Sequence, residues 1–261
     1  MSLWTAIFGT RRGFGCFTDA PDARDMRCGM LALPGTPPAS AMHLAGLVPR
    51  VLDQGATESC VGHAVASGIW IAHRARGTDM PDPSPRFVYF GARGYHGAEL
   101  VDTGTYLRTG LKAAQRFGVA PESLCVTSAK LINRSPSWAA YRQAHDWGGL
   151  RGYYRIASEG NERIDEIKRA LAADHTVVFG TGVSKSFKSF SGANTITRPA
   201  HSAIVGRHAM CVVGYDGDRF RVLNSWGRLW GDGGCVWVTD TYLAWDETRD
   251  LWVLDVEGAG Q

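Results

Sequence analysis

Several features that mark other protein classes are missing from this sequence of 261 residues. No hydrophobic run approaches the ~20 residues that span a bilayer, so we predict no membrane partner. The apolar patch at residues 3–8 is short and follows no basic residue, which argues against an export signal and favours a cytoplasmic protein. The net charge of +3 is too small to indicate a nucleic-acid partner.

Paired-cysteine motifs are also missing, so a zinc or redox site is not indicated. The six cysteines are scattered at positions 16, 28, 60, 125, 211 and 235. The sequence has no glycine-rich phosphate loop either, and we therefore predict no metal and no cofactor. The wide spacing suits a reducing compartment, with Cys16 and Cys28 left open as a candidate disulfide pair.

The hydrophobic pattern changes its period near residue 148. Before it, apolar residues recur at helical spacing, with helices predicted from Cys60, near 87–90, at 106–117 and at 136–146. After it, apolar stretches resemble strands at 151–156, 177–180, 209–215, 220–224, 236–238 and 251–256, with one helix at 161–172. This pattern predicts an α+β fold: an extended segment at 1–45, a helical lobe at 46–148 and an antiparallel β-barrel lobe at 149–261. A cleft is expected where the two lobes meet.

Cys60 begins the most informative helix of the sequence. A thiol at a helix N-terminus lies at the positive end of the helix dipole, which lowers its pKa and favours the thiolate. For cysteines in general, however, a small buried core residue is the more common role, since free cysteine is among the most buried residue types.

His208 and Asn224 favour a chemical role for Cys60. A cysteine nucleophile needs a base, and His208 begins an apolar strand that would hold its ring rigidly. Asn224 follows across a hairpin and is placed to fix the tautomer of the ring. Gln54, six residues before Cys60, is a candidate donor to a developing oxyanion. Trp226 would shield the bond between the histidine and the asparagine from water.

Four blocks of this sequence resemble the papain-type cysteine peptidases, in order and with similar spacing. They are residues 54–60, 104–106 with 118–119, 208–215 and 224–231. The resemblance implies a papain-like two-lobe fold and hydrolysis of peptide bonds in a protein or peptide substrate through an acyl-enzyme. By position, Cys60 matches the nucleophile, His208 the acid/base, Asn224 the orienting residue and Gln54 the oxyanion donor.

The resemblance also implies three substrate-binding residues. Gly104 matches a glycine whose backbone pairs with extended substrate. Ala209 matches a residue that lines the pocket for the second residue before the scissile bond. Trp226 matches the indole shield.

The sequence departs from the family pattern at several points. Thr57 and Asp102 replace two cysteines that often form a disulfide, which fits a reducing compartment. Roughly 45 residues precede the core, too few for the usual propeptide, and their stretch at 21–25 is similar to the leader of bacterial and phage relatives. Arg207 would disfavour a charged His208 unless it points outward. His63, one helical turn after Cys60, is expected to pack or face solvent, and His201 to be solvated.

Two other functions compete with peptidase activity. One is a catalytically weak or inactive papain-fold protein that binds peptides or serves a structural role, for instance as a component of a phage particle. The other is a cell-wall amidase or a transglutaminase on a related fold. The complete set of Gln54, Cys60, His208 and Asn224 favours the peptidase over both.

Overall fold

The computed structural model describes residues 12–147 and 149–257. The apolar patch at 3–8 and the outermost residues of the predicted lobes therefore lie outside the described part. Eight α-helices are found in the described ranges: α1 (His43–Gly46), α2 (Cys60–Ala75), α3 (Pro85–Gly94), α4 (Leu107–Phe117), α5 (Trp138–Trp147), α6 (Gly160–Ala172), α7 (Lys185–Lys188) and α8 (Asp240–Leu243).

Ten strands accompany these helices. They are β1 (Cys16–Phe17), β2 (Ser40–Ala41), β3 (Thr105–Tyr106), β4 (Gly152–Ile156), β5 (Val177–Ser184), β6 (Thr195–Ile196), β7 (Ile204–Asp216), β8 (Arg219–Leu223), β9 (Cys235–Thr239) and β10 (Arg249–Asp255). Short 3₁₀ turns lie at Cys28–Met30 and His201–Ala203. Each helix and strand predicted from the sequence is thus found in the expected region.

The helical part is built around α2, whose residues from Cys60 to His73 are all buried. Such a helix is apolar on every side because it has neighbours on every side. It packs against α3 on one side and against the long strand β7 on another. This central position fixes the first turn of α2, which carries Cys60, at the border between the helices and the sheet.

The sheet contains eight strands, with the main path β4-β10-β5-β7-β8-β9-β6 and β2 paired to the end of β7. Neighbouring strands along the path are antiparallel except β6 and β9, which are parallel. Most neighbouring strand pairs are therefore antiparallel, as the predicted barrel requires. In the described ranges, however, β4 and β6, the two ends of the path, are not hydrogen-bonded to each other. The strand β7 is central, and it carries His208 opposite Thr181 of β5.

The helix ends follow the chemistry of their capping residues. Pro85 occupies the first turn of α3, and the Ser84 hydroxyl accepts from the Phe87 amide at 3.1 Å. Gly118, with φ of 75°, ends α4 after Phe117, where the helix predicted over 106–117 ends. Tyr106 is the residue at the start of α4, and no side chain caps it.

Asp102 instead joins two loops of the helical part. Its carboxylate accepts from the Glu58 amide at 3.1 Å and from the Tyr89 hydroxyl at 2.7 Å. The family disulfide that Thr57 and Asp102 replace would link the same two loops. All six cysteines are buried free thiols, so the candidate pair Cys16 and Cys28 is not bonded.

We expect Asp102→Ala to destabilise the fold by about 1–3 kcal/mol, because the amide and the hydroxyl both lose a charged acceptor. Urea unfolding measures this as a lower midpoint with an unchanged slope. Asp79→Ala is the matched control, since its side chain is 91% exposed and meets only Arg74 at 3.4 Å. Equal midpoints for the two variants would refute the linking role of Asp102.

Candidate active site

Cys60 lies in the first turn of α2 and is fully buried beneath the strand β7. The backbone of Ala209, on β7, lies close to the sulfur and acts to lower the pKa of the thiol, against the larger effect of burial. Ala209 itself is buried and lies opposite Gly180 of β5. The helix and the strand together bring the two residues into contact, although they are far apart in the sequence.

His208 and Asn224 form the hydrogen bond that the sequence predicts. The Nε2 atom of His208 lies 2.7 Å from Oδ1 of Asn224, which also accepts from the Ser225 amide at 2.7 Å. An oxygen that accepts from Ser225 is an acceptor for the ring as well, so Nε2 carries the hydrogen. The other ring nitrogen, Nδ1, is buried and has no partner in the described part of the chain. The neutral ring thus presents a free lone pair at Nδ1.

Trp226 covers this pair as predicted. Its ring centroid lies 4.6 Å from that of His208 at an interplanar angle of 31°, and the indole is fully buried. Trp230 and Phe187 pack against the indole at 5.3 and 6.0 Å. Water is therefore kept from the hydrogen bond between His208 and Asn224, which strengthens it.

The side chain of Gln54 is held in one orientation. Its Oε1 atom accepts from the Ser225 hydroxyl at 2.7 Å, which turns the amide nitrogen the other way. That nitrogen donates to the Thr57 carbonyl at 2.7 Å and to the Gly13 carbonyl at 3.2 Å. Gln54 therefore already contacts the carbonyl of another stretch of chain, as an oxyanion donor would contact a substrate.

That stretch is part of residues 12–19, which we name the occluding segment. The Cys60 thiol donates to the Phe14 carbonyl, and the Phe14 amide donates to the Glu58 carboxylate at 2.9 Å. The Phe14 ring lies 6.4 Å from the centroids of both the His208 and the Trp226 rings. The cleft is thus filled by the protein's own chain.

Gly104 lies against an extended stretch of chain, the occluding segment, although its own amide donates to the Tyr89 hydroxyl at 2.9 Å. Thr105 donates to the Gly15 carbonyl at 2.9 Å, and β1 runs parallel to β3. The backbones are so close that a Cβ on Gly104 would lie 2.6 Å from Gly15. A Cβ on Gly13 would lie 2.0 Å from the Thr57 carbonyl oxygen, so only glycine fits at this position.

A buried charge cluster, which we name the anchor cluster, holds the far end of the segment. It contains three carboxylates and two guanidiniums. Arg108 and Arg155 contact Asp25 at 2.8 and 3.1 Å, and Arg155 also contacts Asp250 at 3.0 Å. Asp250 accepts from the Asp19 amide at 2.9 Å.

The anchor cluster has one carboxylate more than it has cations. Burial, and then the neighbouring Asp250 carboxylate, raises the pKa of Asp19 to about 7, against the opposing effect of Arg108 and Arg155. The pKa of Asp250 is also raised by burial, and Arg207 is one of the charges that lower it. The Asp19 carboxylate is therefore protonated through most of the acidic range, and the Cys16 thiol beside it stays neutral.

Occlusion reverses the predicted ionisation of the thiol. Burial raises the pKa of Cys60 to about 12 and lowers the pKa of His208 to about 4. The expectation of a lowered thiol pKa is thus wrong for the occluded state, because removal from water outweighs the field of the helix end. With the segment in place, the two groups form a neutral thiol and imidazole.

Arg207 is not a cause of the lowered pKa of His208, contrary to the expectation from the sequence. Its guanidinium contacts the Glu247 carboxylate at 2.7 Å, and the shift in the pKa of His208 comes from burial, Asn224 and His63. His63 is a packing residue, as expected, since it is buried and contacts the Ser59 carbonyl at 2.9 Å. His201 is largely exposed, as expected, and lies beside Asp246 at 3.3 Å.

The occluding segment is the feature that sequence reasoning missed. The available signal was the run Gly13-Phe14-Gly15, an aromatic residue between two glycines, since such glycines permit close approach of two backbones. In the described ranges no three histidine, cysteine or acidic side chains are grouped so that they could hold a metal ion. No helix there has the length and apolarity to cross a membrane.

The cleft between helices and sheet, with a thiol, an imidazole and an orienting amide, defines a cysteine-hydrolase type of site. The family model described as papain family cysteine protease matches residues 139–243, which include His208 and Asn224. A peptidase C1-like protein of Acanthamoeba polyphaga mimivirus is 33% identical over 217 residues, which is 78% of this chain and 68% of that protein.

Solved structures agree with these matches. Xylellain, a cysteine protease from Xylella fastidiosa, superposes with a TM-score of 0.83 at 26% identity, covering 95% of this chain and 97% of its own. A cysteine protease of Carica candamarcensis has the same fold, with a TM-score of 0.66 at 18% identity over 85% and 99% of the two chains. The chain belongs to the papain family of cysteine proteases, and it is a hydrolase that acts on protein or peptide substrates.

Proposed function

We propose that Cys60, His208, Asn224 and Gln54 carry out peptide hydrolysis in this protein. The observation that supports this most directly is the contact of Gln54 and Cys60 with two successive backbone carbonyls, those of Gly13 and Phe14. A site whose amide donor and thiol both engage the backbone carbonyls of an extended chain has the groups that acyl transfer needs.

The first half of the reaction forms an acyl-enzyme. Once the site is open, the Cys60 proton passes to Nδ1 of His208, and the sulfur attacks the carbonyl carbon of the scissile bond. The oxyanion receives hydrogen bonds from the Gln54 side chain and from the Cys60 amide. His208 then donates its proton to the leaving nitrogen as the carbon–nitrogen bond breaks.

The second half releases the acyl group. Water replaces the departed amine, gives a proton to Nδ1 of His208 and attacks the thioester carbonyl, and the returning proton restores the thiol. In this mechanism Asn224 fixes the ring through Nε2 and leaves Nδ1 for the proton transfers, and Trp226 excludes water from the hydrogen bond between His208 and Asn224. Gly104 and Ala209 bind the part of the substrate that precedes the scissile bond.

The proposal is tested in the full chain carrying Gly13→Val, whose added side chain collides with Thr57 and keeps the segment out of the cleft. We expect this protein to hydrolyse casein and a dipeptidyl fluorogenic substrate, and Cys60→Ala to abolish both activities. Cys125→Ala is the matched control, because Cys125 is a buried thiol in a separate small core and should retain activity. Hydrolysis that survives Cys60→Ala would exclude Cys60 as the nucleophile.

We also propose a reducing location, namely the cytoplasm, and a protein substrate rather than a nucleic acid or membrane. The six buried free thiols support this location, since the protein holds them without a single disulfide. The relatives described above are proteases or peptidases by name, so neither the scaffold nor the amidase alternative has a specific observation in its favour.

A further inference from the structure

A groove of about 660 Å³ lies at one end of the cleft. Its walls include Asp53, which precedes Gln54, and Trp226, which covers His208. The occluding segment enters this groove at Arg12, whose guanidinium contacts Asp53 at 2.8 Å. From there the segment passes Gln54 and Cys60 and reaches Gly104 at the other end. The groove and Gly104 therefore lie on opposite sides of the catalytic sulfur.

This geometry assigns the groove to one half of the substrate. Under the proposed function, Gly104 and Ala209 bind the residues before the scissile bond, on the acyl side. The groove at the opposite end is then the place for the residues that follow the scissile bond, which depart with the leaving amine. The inference below rests on that proposed function and extends it to substrate choice.

The groove is lined by more cations than anions. Lys185 and Lys188 of α7 and Arg228 contribute positive charges, and none of the three forms an ion pair in the described residues. Asp53 is the one acidic residue of the wall, and Arg12 neutralises it in the occluded state. When the segment leaves and takes Arg12 with it, three cations still face one carboxylate.

The groove also offers apolar surface. Leu229 is 89% exposed beside it, which is unusual for so large an apolar side chain. Trp230 forms part of the wall and is fixed by the bond from its indole nitrogen to the Lys188 carbonyl at 3.2 Å. That bond also ties α7 to the wall, so the lysines lie on a fixed support.

We propose that this groove selects substrates with acidic residues directly after the scissile bond. A carboxylate there meets Lys185, Lys188 or Arg228 while the neighbouring side chain packs on Leu229 and Trp230. A basic residue at the same position is repelled. The groove thus favours acidic segments of protein substrates, a preference that charge complementarity supplies.

The test uses the full chain with Gly13→Val and three internally quenched peptides. The peptides are identical up to the scissile bond and carry two aspartates, two asparagines or two lysines after it. We expect kcat/KM to be about tenfold higher for the aspartate peptide than for the asparagine peptide, and lower again for the lysine peptide. Raising NaCl from about 0.05 to 0.5 M should shrink the difference by screening.

The decisive comparison uses charge variants. The combined change of Lys185→Gln, Lys188→Gln and Arg228→Gln should bring the aspartate-to-asparagine ratio close to one. Lys130→Gln, an exposed lysine that does not line the groove, should keep the ratio. Hydrolysis with no charge preference, or a preference that survives the combined change, overturns this inference alone. Hydrolysis of none of the peptides overturns both the inference and the proposed function.

Discussion

Replacing Gly13 with valine is expected to raise the peptidase activity of the full chain by about 100-fold. In the structure, a Cβ at this position would lie 2.0 Å from the Thr57 carbonyl oxygen and 2.9 Å from the Ala56 carbonyl oxygen. Both atoms belong to the backbone of the loop before Cys60, so the contact cannot be relieved by a side-chain rotation. The segment must therefore leave the cleft, while the proposed catalytic residues stay unchanged.

The size of the expected gain in activity follows from an equilibrium between an occluded and an open form of the cleft. If the occluded form predominates at about 99 to 1, as the extensive contacts of Phe14 suggest, the wild-type chain shows about 1% of the open activity. A substitution that clashes in the occluded form but not in the open form shifts nearly all molecules to the open form. The gain in kcat/KM is then the reciprocal of the original open fraction, and it is expected as a lower apparent KM at nearly unchanged kcat, because the segment and the substrate compete for the cleft.

Activity on a dipeptidyl fluorogenic substrate measures this gain, and the rate of Cys60 alkylation by iodoacetamide measures opening directly. Both rates should rise together. Gly35→Val is the matched control, since Gly35 also precedes the core but a Cβ there has no atom within 4 Å. If Gly13→Val leaves both rates at the wild-type level, the segment does not block the cleft in solution.

The second large effect is a loss of occlusion as the pH rises. The occluded form raises the pKa of Asp19 to about 7, well above the value of an exposed aspartate near 3.9. The occluded form therefore binds one proton more than the open form between these values. Docking of the segment is strongest below about pH 4, weakens as the pH rises to about 7, and is constant above that.

Within this window, each pH unit changes the docking equilibrium by up to about tenfold. The ratio of wild-type to Gly13→Val activity isolates this effect, because the activity of the open form divides out and, in the proposed mechanism, the pair of Cys60 and His208 carries one proton in both forms. We expect the ratio to rise about tenfold or more between pH 5 and 7.5. Asp19→Asn, which cannot ionise but keeps an acceptor for Arg108 and Trp252, should give a flat ratio.

Asp22→Asn provides the control for this experiment. Asp22 lies just beyond the segment, and in the described residues its carboxylate contacts Arg24, at 2.7 Å, rather than the body of the protein. Its loss should leave the pH dependence intact. A ratio that stays constant with pH in the wild-type chain would show that the anchor cluster does not couple ionisation to opening.

Much of the site is predictable from the sequence because its parts lie on regular elements. The helix of Cys60 and the strand of His208 both have clear apolar periodicity, and the spacing of Asn224 places it directly after the next strand, which ends at Leu223. Gly118 ends its helix as predicted because a single residue with positive φ determines that boundary.

The remainder depends on contacts that periodicity does not encode. The occluding segment is extended and is held through backbone atoms and two glycines, so its side chains show no pattern of burial. The ionisation of Cys60 follows from that burial, and the prediction from the helix end alone is wrong for this reason. The hydrogen bonds of Asp102 likewise require knowledge of which loops meet.

The chain direction of the occluding segment affects how long the protein survives its own activity. The segment runs from the groove past Cys60 toward Gly104, parallel to β3. Under the proposed roles of Gly104 and Ala209, a substrate runs the opposite way, from Gly104 to the sulfur and on into the groove. The segment therefore places the Phe14 carbonyl at the thiol with its leaving nitrogen on the wrong side. In this orientation we expect the segment to block the cleft without being cut, so that each molecule opens and closes repeatedly and inhibition by the segment is reversible.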